Sequence, residues 1–181
     1  MGRIVSRALV PLLAAVLGVA LAGAPALAAG PSAAPAAQPR ILGPDGYKTL
    51  KLGMSEQDAV ATGLLENKRP FGDTCVIYSI VRSEGTHPNR SGVIISPKFG
   101  VWSIPATSKM RTPQEIWQGS RFSDVQDAYP DLTRHPQFDY IYTAGVPGNP
   151  KAEYDFTFPD GPLVFEMGLG LKGMTSESAC S

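Results

Sequence analysis

The chain has 181 residues and a formal net charge of zero, with 16 basic and 16 acidic side chains. This balance argues against a nucleic-acid partner, which would need a clustered basic surface. The length suits one domain, or two very small units that share a core.

The first 28 residues carry the pattern of a secretory signal peptide. Arg3 and Arg7 form a basic start, residues 8–22 are apolar, and Ala26-Leu27-Ala28 is a cleavage signal of the A-x-A kind. An uncleaved membrane anchor is the alternative, and Pro11 and the short apolar run argue against it. We therefore expect a secreted, extracellular protein without a stable anchor. Cleavage would remove two arginines and no acidic residue, leaving 14 basic and 16 acidic side chains and a net charge of −2.

Residues 29–45 are rich in Ala and Pro and predict a disordered linker. A first α+β unit is expected over residues 46–105. Within it, Ser55 and Asp58 form a capping pattern that predicts a short helix, and Gly63 is its predicted end. The apolar, β-branched runs that follow predict three strands, at residues 75–81, 93–95 and 101–104.

Residues 106–181 are expected to form a second unit with the same order of elements. Phe122, Val125 and Tyr129 recur at the spacing of one helical face, and Pro130 ends the predicted helix. Three segments with period-two alternation follow and predict an antiparallel meander with an aromatic, buried face. The residues expected on that face are Phe138, Tyr140, Tyr142, Ala144, Tyr154, Phe156, Phe158, Leu163, Phe165, Met167 and Leu169. The helix is expected to pack on Tyr140, Phe156 and Phe165.

The two units align when Gly53 is placed on Gly119, 66 residues later. Asp58 then falls on Asp124. The sequence therefore predicts an α+β fold of two tandem repeats, each a short helix followed by an antiparallel sheet of three or more strands.

Cys75 and Cys180 are the only two cysteines. In an exported protein an even number of cysteines predicts pairing, and two free thiols are the alternative. The bond would close a loop of roughly 100 residues, for which the chain-entropy model gives about 4–5 kcal/mol of stabilisation.

Each predicted helix follows a glycine turn, in Leu52-Gly53-Met54-Ser55 with Ala59 and in Gln118-Gly119-Ser120 with Val125. In this the chain resembles the β-lactamase-inhibitory-protein fold, and it is similar to the repeat of the small outer-membrane assembly lipoproteins. Through Gly119-Ser120, Ala128-Tyr129-Pro130 and the two cysteines it also resembles small secreted proteins of actinobacteria. The resemblance implies a two-repeat α+β fold, and an inhibitory role as a special case of partner binding.

His87 and His135 are the only histidines, and each is followed directly by a proline in a predicted loop. Neither has a further ligand at helical or strand spacing, and a zinc site needs three or four ligands. The chain also lacks a G-x-S-x-G nucleophile elbow. We interpret both as solvated loop histidines and expect no metal site, no cofactor and no catalytic residue.

Four carboxylates alternate with the aromatic residues and are expected on the outer face of the second sheet: Asp139, Glu153, Asp155 and Glu166. Three interpretations are open. The carboxylates could form a solvated sheet face, a surface for a partner or a cation, or a catalytic pair of the kind that hydrolyses glycosides.

Trp102 and Trp117 flank the predicted boundary between the units, and with Tyr142 they are candidate anchors for a partner. Our first hypothesis is a secreted, non-enzymatic, monomeric binding module that engages an unknown protein or cell-envelope component through its concave sheet surface. The alternative is an exported hydrolase that uses the carboxylates of the second sheet.

Overall fold

The computed structural model of the chain describes residues 40–87 and 91–181, which lie in one compact unit. The predicted signal peptide and residues 29–39 of the predicted linker lie outside the described residues. Among the described residues, no helix is long and apolar enough to cross a membrane.

The described residues are mainly β-structure with a few short helices. The strands are β1 (Arg40–Gly43), β2 (Gly46–Tyr47), β3 (Leu50–Lys51), β4 (Leu65–Phe71), β5 (Cys75–Ile80), β6 (Val93–Ser96), β7 (Gly100–Pro105), β8 (Met110–Arg111), β9 (Thr133–Arg134), β10 (Ile141–Val146), β11 (Asn149–Thr157) and β12 (Glu166–Leu171). The helices are α1 (Glu56–Ala61), α2 (Phe122–Ala128) and α3 (Ser176–Cys180), with a 3₁₀ turn at Arg82–Glu84.

An eight-stranded sheet in the order β4-β5-β6-β7-β12-β11-β10-β9 forms the centre of the fold. All neighbours in it are antiparallel. A smaller sheet has the order β3-β2-β1-β8, in which β1 and β8 are parallel. The expected α+β character and the antiparallel sheets are therefore present, although two sheets are formed.

The large sheet buries one face, called here the inner face, beneath α1, α2 and the small sheet. Ile104, Leu169 and Tyr154 are directly opposite one another on β7, β12 and β11, and all three are almost fully buried. The Tyr154 hydroxyl donates a hydrogen bond to the carbonyl of Leu42 in β1 at 2.8 Å. The buried aromatic ring therefore also has its polar end satisfied, as buried tyrosines require.

The first helix follows its predicted capping pattern. The backbone N–H of Asp58 donates to the Ser55 hydroxyl at 3.2 Å, and α1 begins at Glu56. The three predicted strands of this half correspond to β5, β6 and β7. Sequence reasoning missed β4, because its Leu-Glu-Asn-Lys-Arg-Pro-Phe run lacks period-two alternation and a register shift interrupts its pairing with β5.

Helix α2 buries the predicted face. Val125 and Tyr129 are almost fully buried, and the Tyr129 ring lies 5.4 Å from the ring of Phe156. Phe122 is half-buried and meets Phe158 edge to face at 5.1 Å. At the start of the helix, where Arg121 replaces a Ser or Thr cap, the Asp124 carboxylate accepts the Arg121 backbone N–H at 3.1 Å.

The expectation that α2 packs on Tyr140 and Phe165 is wrong. These side chains are 41% and 43% exposed, because β10 begins only at Ile141 and β12 only at Glu166. The predicted alternation also fails before β12, where Leu163 is exposed and Val164 is buried. Val164 is held there by backbone hydrogen bonds to residues 119 and 120 that set its side chain inward.

The ordered fold begins at Arg40, before the predicted start at Gly46, because β1 pairs with β8 and buries Leu42 completely. Arg40 also takes part in an ion-pair cluster around Glu84. The Glu84 carboxylate accepts hydrogen bonds from the Tyr47 hydroxyl, from Lys48 Nζ at 2.6 Å and from Arg40 Nε at 3.0 Å. The hydrogen bonds from Lys48 and Tyr47, which contribute most, lower the pKa of Glu84 to about 2.

We expect the Glu84 cluster to make stability depend on acid pH. The folded pKa lies below the ordinary value of 4.5, so the stabilisation is complete above that value and is lost as the pH falls toward about 2. The shift corresponds to about 3 kcal/mol in the free energy of unfolding. Urea unfolding from pH 7 to pH 2 should therefore show a gap between the wild type and Glu84→Gln that closes below pH 4.

The matched control for this measurement is Glu115→Gln, which removes an exposed carboxylate paired with Arg111 at 2.5 Å. Exposed pairs of this kind contribute little to stability, so we expect no such gap. A Glu84→Gln gap that is the same at pH 7 and pH 2 would contradict the assignment.

We expect Val125→Asp to prevent stable folding. The carboxylate would enter the inner core at a position with no accessible surface and no partner, at a cost of several kcal/mol. The whole stability of a domain this size is roughly 5–15 kcal/mol. Thermal unfolding by circular dichroism measures the loss, with Asp127→Ala on the exposed side of the same helix as a near-neutral control. Equal melting temperatures for the two variants would show that the helical phase is wrong.

Candidate functional site

The outer face of the large sheet carries a second, smaller core around a disulfide. Cys75 in β5 is bonded to Cys180 in α3, at a sequence separation of 105. Both cysteines and Ala179 are almost fully buried, and Trp102 packs against them from β7. The Ser96 hydroxyl donates to the carbonyl of Ala179 at 2.7 Å. The predicted pairing is confirmed, and it fixes α3 across the outer face.

A half-open cleft of about 400 Å³ lies beside α3 on this outer face. Its floor consists of side chains from β7, β12, β11 and β10 in the central part of the sheet. One wall is the loop of residues 135–138, and the opposite wall is formed by residues 174–177 at the start of α3. The disulfide at the end of α3 therefore holds the second wall in place.

Two glycines of β12 shape this part of the sheet, and one of them, Gly170, lines the cleft. Gly168 lies opposite Asp155, and a Cβ at Gly168 would be only 3.0 Å from an Asp155 carboxylate oxygen. Gly170 lies opposite Glu153 on one side and Ser103 on the other. A Cβ at Gly170 would meet only the Trp102 carbonyl oxygen, at 3.5 Å. Position 170 therefore has room for a side chain, and glycine leaves that room to the cleft.

Asp155 is a half-buried carboxylate in the cleft that makes no hydrogen bond or ion pair with another described residue. Burial, followed by the negative charges of Glu166 and Glu153, raises the pKa of Asp155 to about 7. Glu153 also lines the cleft, and its carboxylate accepts the backbone N–H of Gly173 at 3.0 Å. The Glu153 carboxylate thus stabilises the segment that leads to α3, while the Asp155 carboxylate makes no such contact.

The four carboxylates that were predicted on the outer face lie in three different places. Glu153 and Asp155 lie together in the cleft, and Glu166 lies at the start of β12 outside its lining. Asp139 is exposed in the turn before β10, so its expected place on the sheet face is wrong. The period-two pattern of the sequence continues through residues 139 and 140, which form a turn before β10.

The three candidate anchors lie in three different places. Trp102 lines the cleft, and its indole Nε1 is buried without a hydrogen-bond partner among the described residues. Trp117 is 53% exposed beside Lys109 and Arg111, outside the cleft. Tyr142 lies on the inner face, where its ring meets that of Phe122 edge to face at 4.8 Å.

The histidines also differ in their surroundings. His135 lines the cleft, and its ring lies 5.2 Å from that of Phe138, which is 44% exposed. His87 is half-buried, with Nδ1 3.1 Å from the Ala106 carbonyl, and burial lowers its pKa. The interpretation of His87 as a solvated loop residue is therefore wrong. Among the described residues no group of three or more His, Cys, Asp or Glu side chains is placed to hold a metal ion.

Sequence reasoning missed His135, Phe138 and the wall at residues 174–177 as parts of one site. The available signal was the glycine at alternate positions of β12, because a glycine inside a strand often marks a close approach of another group. Gly168 leaves room for the Asp155 carboxylate, and Gly170 leaves room in the cleft. No family model, curated protein or solved structure matches the chain.

We expect loss of the disulfide to loosen the cleft wall more than the sheet. The double variant Cys75→Ser/Cys180→Ser should lose about 4–5 kcal/mol of stability on the chain-entropy model. Hydrogen–deuterium exchange of the folded variant should show the largest increase at residues 174–180. Peptides from β11 serve as the internal control, and unchanged protection at residues 174–177 would show that other contacts hold this wall.

Proposed function

We propose that the chain is an exported binding module that takes a protruding group of a partner protein into the outer-face cleft. The observation that carries this proposal is the combination of a concave site of about 400 Å³, aromatic side chains in its lining and an unpartnered carboxylate. Small-ligand and side-chain recognition sites commonly have this volume and this mixture of apolar walls and a few polar groups.

The order of elements supports the proposed tandem repeat. Helix α1 precedes the meander β4-β5-β6-β7, and α2 precedes the meander β9-β10-β11-β12. The last strands of the two meanders, β7 and β12, are neighbours at the centre of the sheet. A resemblance to the β-lactamase-inhibitory-protein fold is part of the same proposal, and an inhibitory role would rest on that fold analogy alone.

Export and a monomeric state are part of the same proposal. Export is supported by the signal-peptide pattern of the first 28 residues and by the Cys75–Cys180 bond, since disulfides persist in oxidising compartments. A monomer suits the proposal because the large sheet buries its inner face within one chain, and the cleft is complete without a second copy.

The second candidate is an exported hydrolase, which is favoured by the raised pKa of Asp155 beside Glu153. Two neighbouring carboxyl groups with different pKa values are the usual basis of acid–base hydrolysis. Asp155 would be the proton donor and Glu153 the base. We place this function second because Glu153 already accepts the Gly173 backbone N–H, which occupies one of its oxygens in a structural role.

We expect a photo-crosslinking amino acid at position 138 to capture the partner, because Phe138 is exposed at the wall of the cleft. The protein would be produced in its own host, irradiated, and the adducts identified by mass spectrometry. A crosslinker at Ser123, exposed on α2 across the sheet, is the matched control. The adduct at 138 should disappear in Gly170→Leu, which fills the cleft at a position that has room for a side chain.

The comparison of these variants decides the proposal. A Gly170→Leu protein with an unchanged melting temperature and no adduct supports binding in the cleft. Equal adducts from positions 138 and 123, or an adduct that survives Gly170→Leu, would refute it. An adduct with a glycan or lipid of the cell envelope in place of a protein would change the class of partner.

A further inference from the structure

We propose that the group recognised in the outer-face cleft is a basic side chain, an arginine or a lysine, of the partner protein. This inference rests on the proposed binding function and specifies its ligand chemistry. It depends on the charges, the ring faces and the unpartnered carboxylate that the cleft brings together.

The charged side chains that line the cleft favour a cation. Glu153, Asp155 and Glu177 contribute carboxylates, and the lining contains no lysine or arginine. The nearest lysines along the chain, Lys151 and Lys172, are exposed beyond the lining and form no ion pair with these carboxylates in the described residues. The cleft is therefore a region of negative charge that the chain does not neutralise itself.

Three other carboxylates of the protein are paired with cations within the chain. Glu56 is paired with Lys68 at 2.6 Å, and Glu115 with Arg111 at 2.5 Å. Glu84, the most buried of them, has two basic partners. Asp155 differs from these in having no partner, although it is half-buried. A buried carboxylate without a partner is costly, and a cation from outside would remove that cost.

The walls suit the rest of a basic side chain. Phe138 and Trp102 are aromatic, and a cation near an aromatic ring face is stabilised by the ring quadrupole. Leu171 and Met174 provide apolar surface for an aliphatic stem. An acidic lining alone would attract any cation, whereas this combination selects a cation that is carried on an apolar stem.

The inference predicts that binding depends on pH. A bound cation favours the ionised form of Asp155, so at neutral pH binding would release a proton from it. The charged and titratable groups around Asp155 are Glu153 on its own strand and Glu166 on β12, whose charges act on it, and His135 and Glu177, which line the same cleft. Binding should therefore weaken as the pH falls, because a protonated Asp155 no longer attracts the cation.

The test is a titration of the labelled full-length mature protein with small amides, followed by nuclear magnetic resonance. The probes are the N-acetyl methylamides of arginine and lysine, compared with those of norleucine and glutamate. We expect the two basic probes to shift the amide signals of Ser103, Gly170 and Phe138. For one group that titrates near pH 7, binding should weaken about tenfold from pH 8 to pH 6.

Three variants make the titration specific. Asp155→Asn should weaken arginine binding at least fivefold at pH 8 and reduce its pH dependence. Gly170→Leu should abolish the shifts by filling the cleft. Asp127→Asn removes a carboxylate from the exposed side of α2 and should leave binding unchanged.

The outcomes separate this inference from the proposed function. Equal or tighter binding of the norleucine or glutamate probe would overturn the choice of a cation and leave the cleft as the binding site. If no probe shifts the cleft signals while the crosslink at position 138 persists, the inference is wrong and the proposed function stands. If no probe shifts the cleft signals and no crosslink forms at position 138, both the inference and the proposed function are wrong.

Discussion

The pairing of β7 with β12 is the interaction on which the rest of the structure depends. Three residue pairs across it, including Ile104 with Leu169, join two four-stranded meanders into one sheet. The ladder is extended by the Ala106 backbone N–H, which donates to the Met167 carbonyl at 2.8 Å. Because alternate residues of a strand face opposite sides, the same strands supply both the inner core and the floor of the cleft. Ile104 and Leu169 face the core, while Ser103 and Gly170 face the cleft.

Two carboxylates of the protein, Glu84 and Asp155, lie in opposite electrostatic environments. Glu84, among the contacts between the 3₁₀ turn and the small sheet, has two cations and a tyrosine hydroxyl around it, and its pKa falls to about 2. Asp155 on the outer face has no cationic partner, and burial followed by the charges of Glu166 and Glu153 raises its pKa to about 7. The first arrangement stabilises the fold by itself. The second does not, and it is the kind of strained electrostatic environment that proteins keep at functional sites.

Local patterns in the sequence were enough to predict the parts of the fold that local forces determine. Ser55 with Asp58 predicted the start of α1, and the spacing of Val125 and Tyr129 predicted the buried face of α2. The disulfide followed from the count of cysteines and the export signal. Each of these predictions rests on a sequence pattern that can be interpreted without knowing which distant residues are in contact.

The cleft could not be predicted in the same way. Period-two alternation gives the two faces of a strand, but it does not show where the strand begins, and so Tyr140 and Phe165 were assigned to the core. The cleft also brings together residues from β7, β10, β11, β12 and the C-terminal helix, whose proximity depends on sheet order. Part of its floor is open because Gly170 has no side chain, and an absent side chain leaves no hydropathy signal.

The long sequence separation of the contacts in this fold affects when the chain can fold. The Cys75–Cys180 bond spans 105 residues, and the Tyr154 hydroxyl reaches the Leu42 carbonyl across 112. Contacts between distant residues slow folding, because the loop between them must close before the contact stabilises anything. Neither the central β7–β12 pairing nor the disulfide can form until nearly all of the chain is present. A newly made chain would therefore reach its stable form only after β12 and Cys180 have been synthesised.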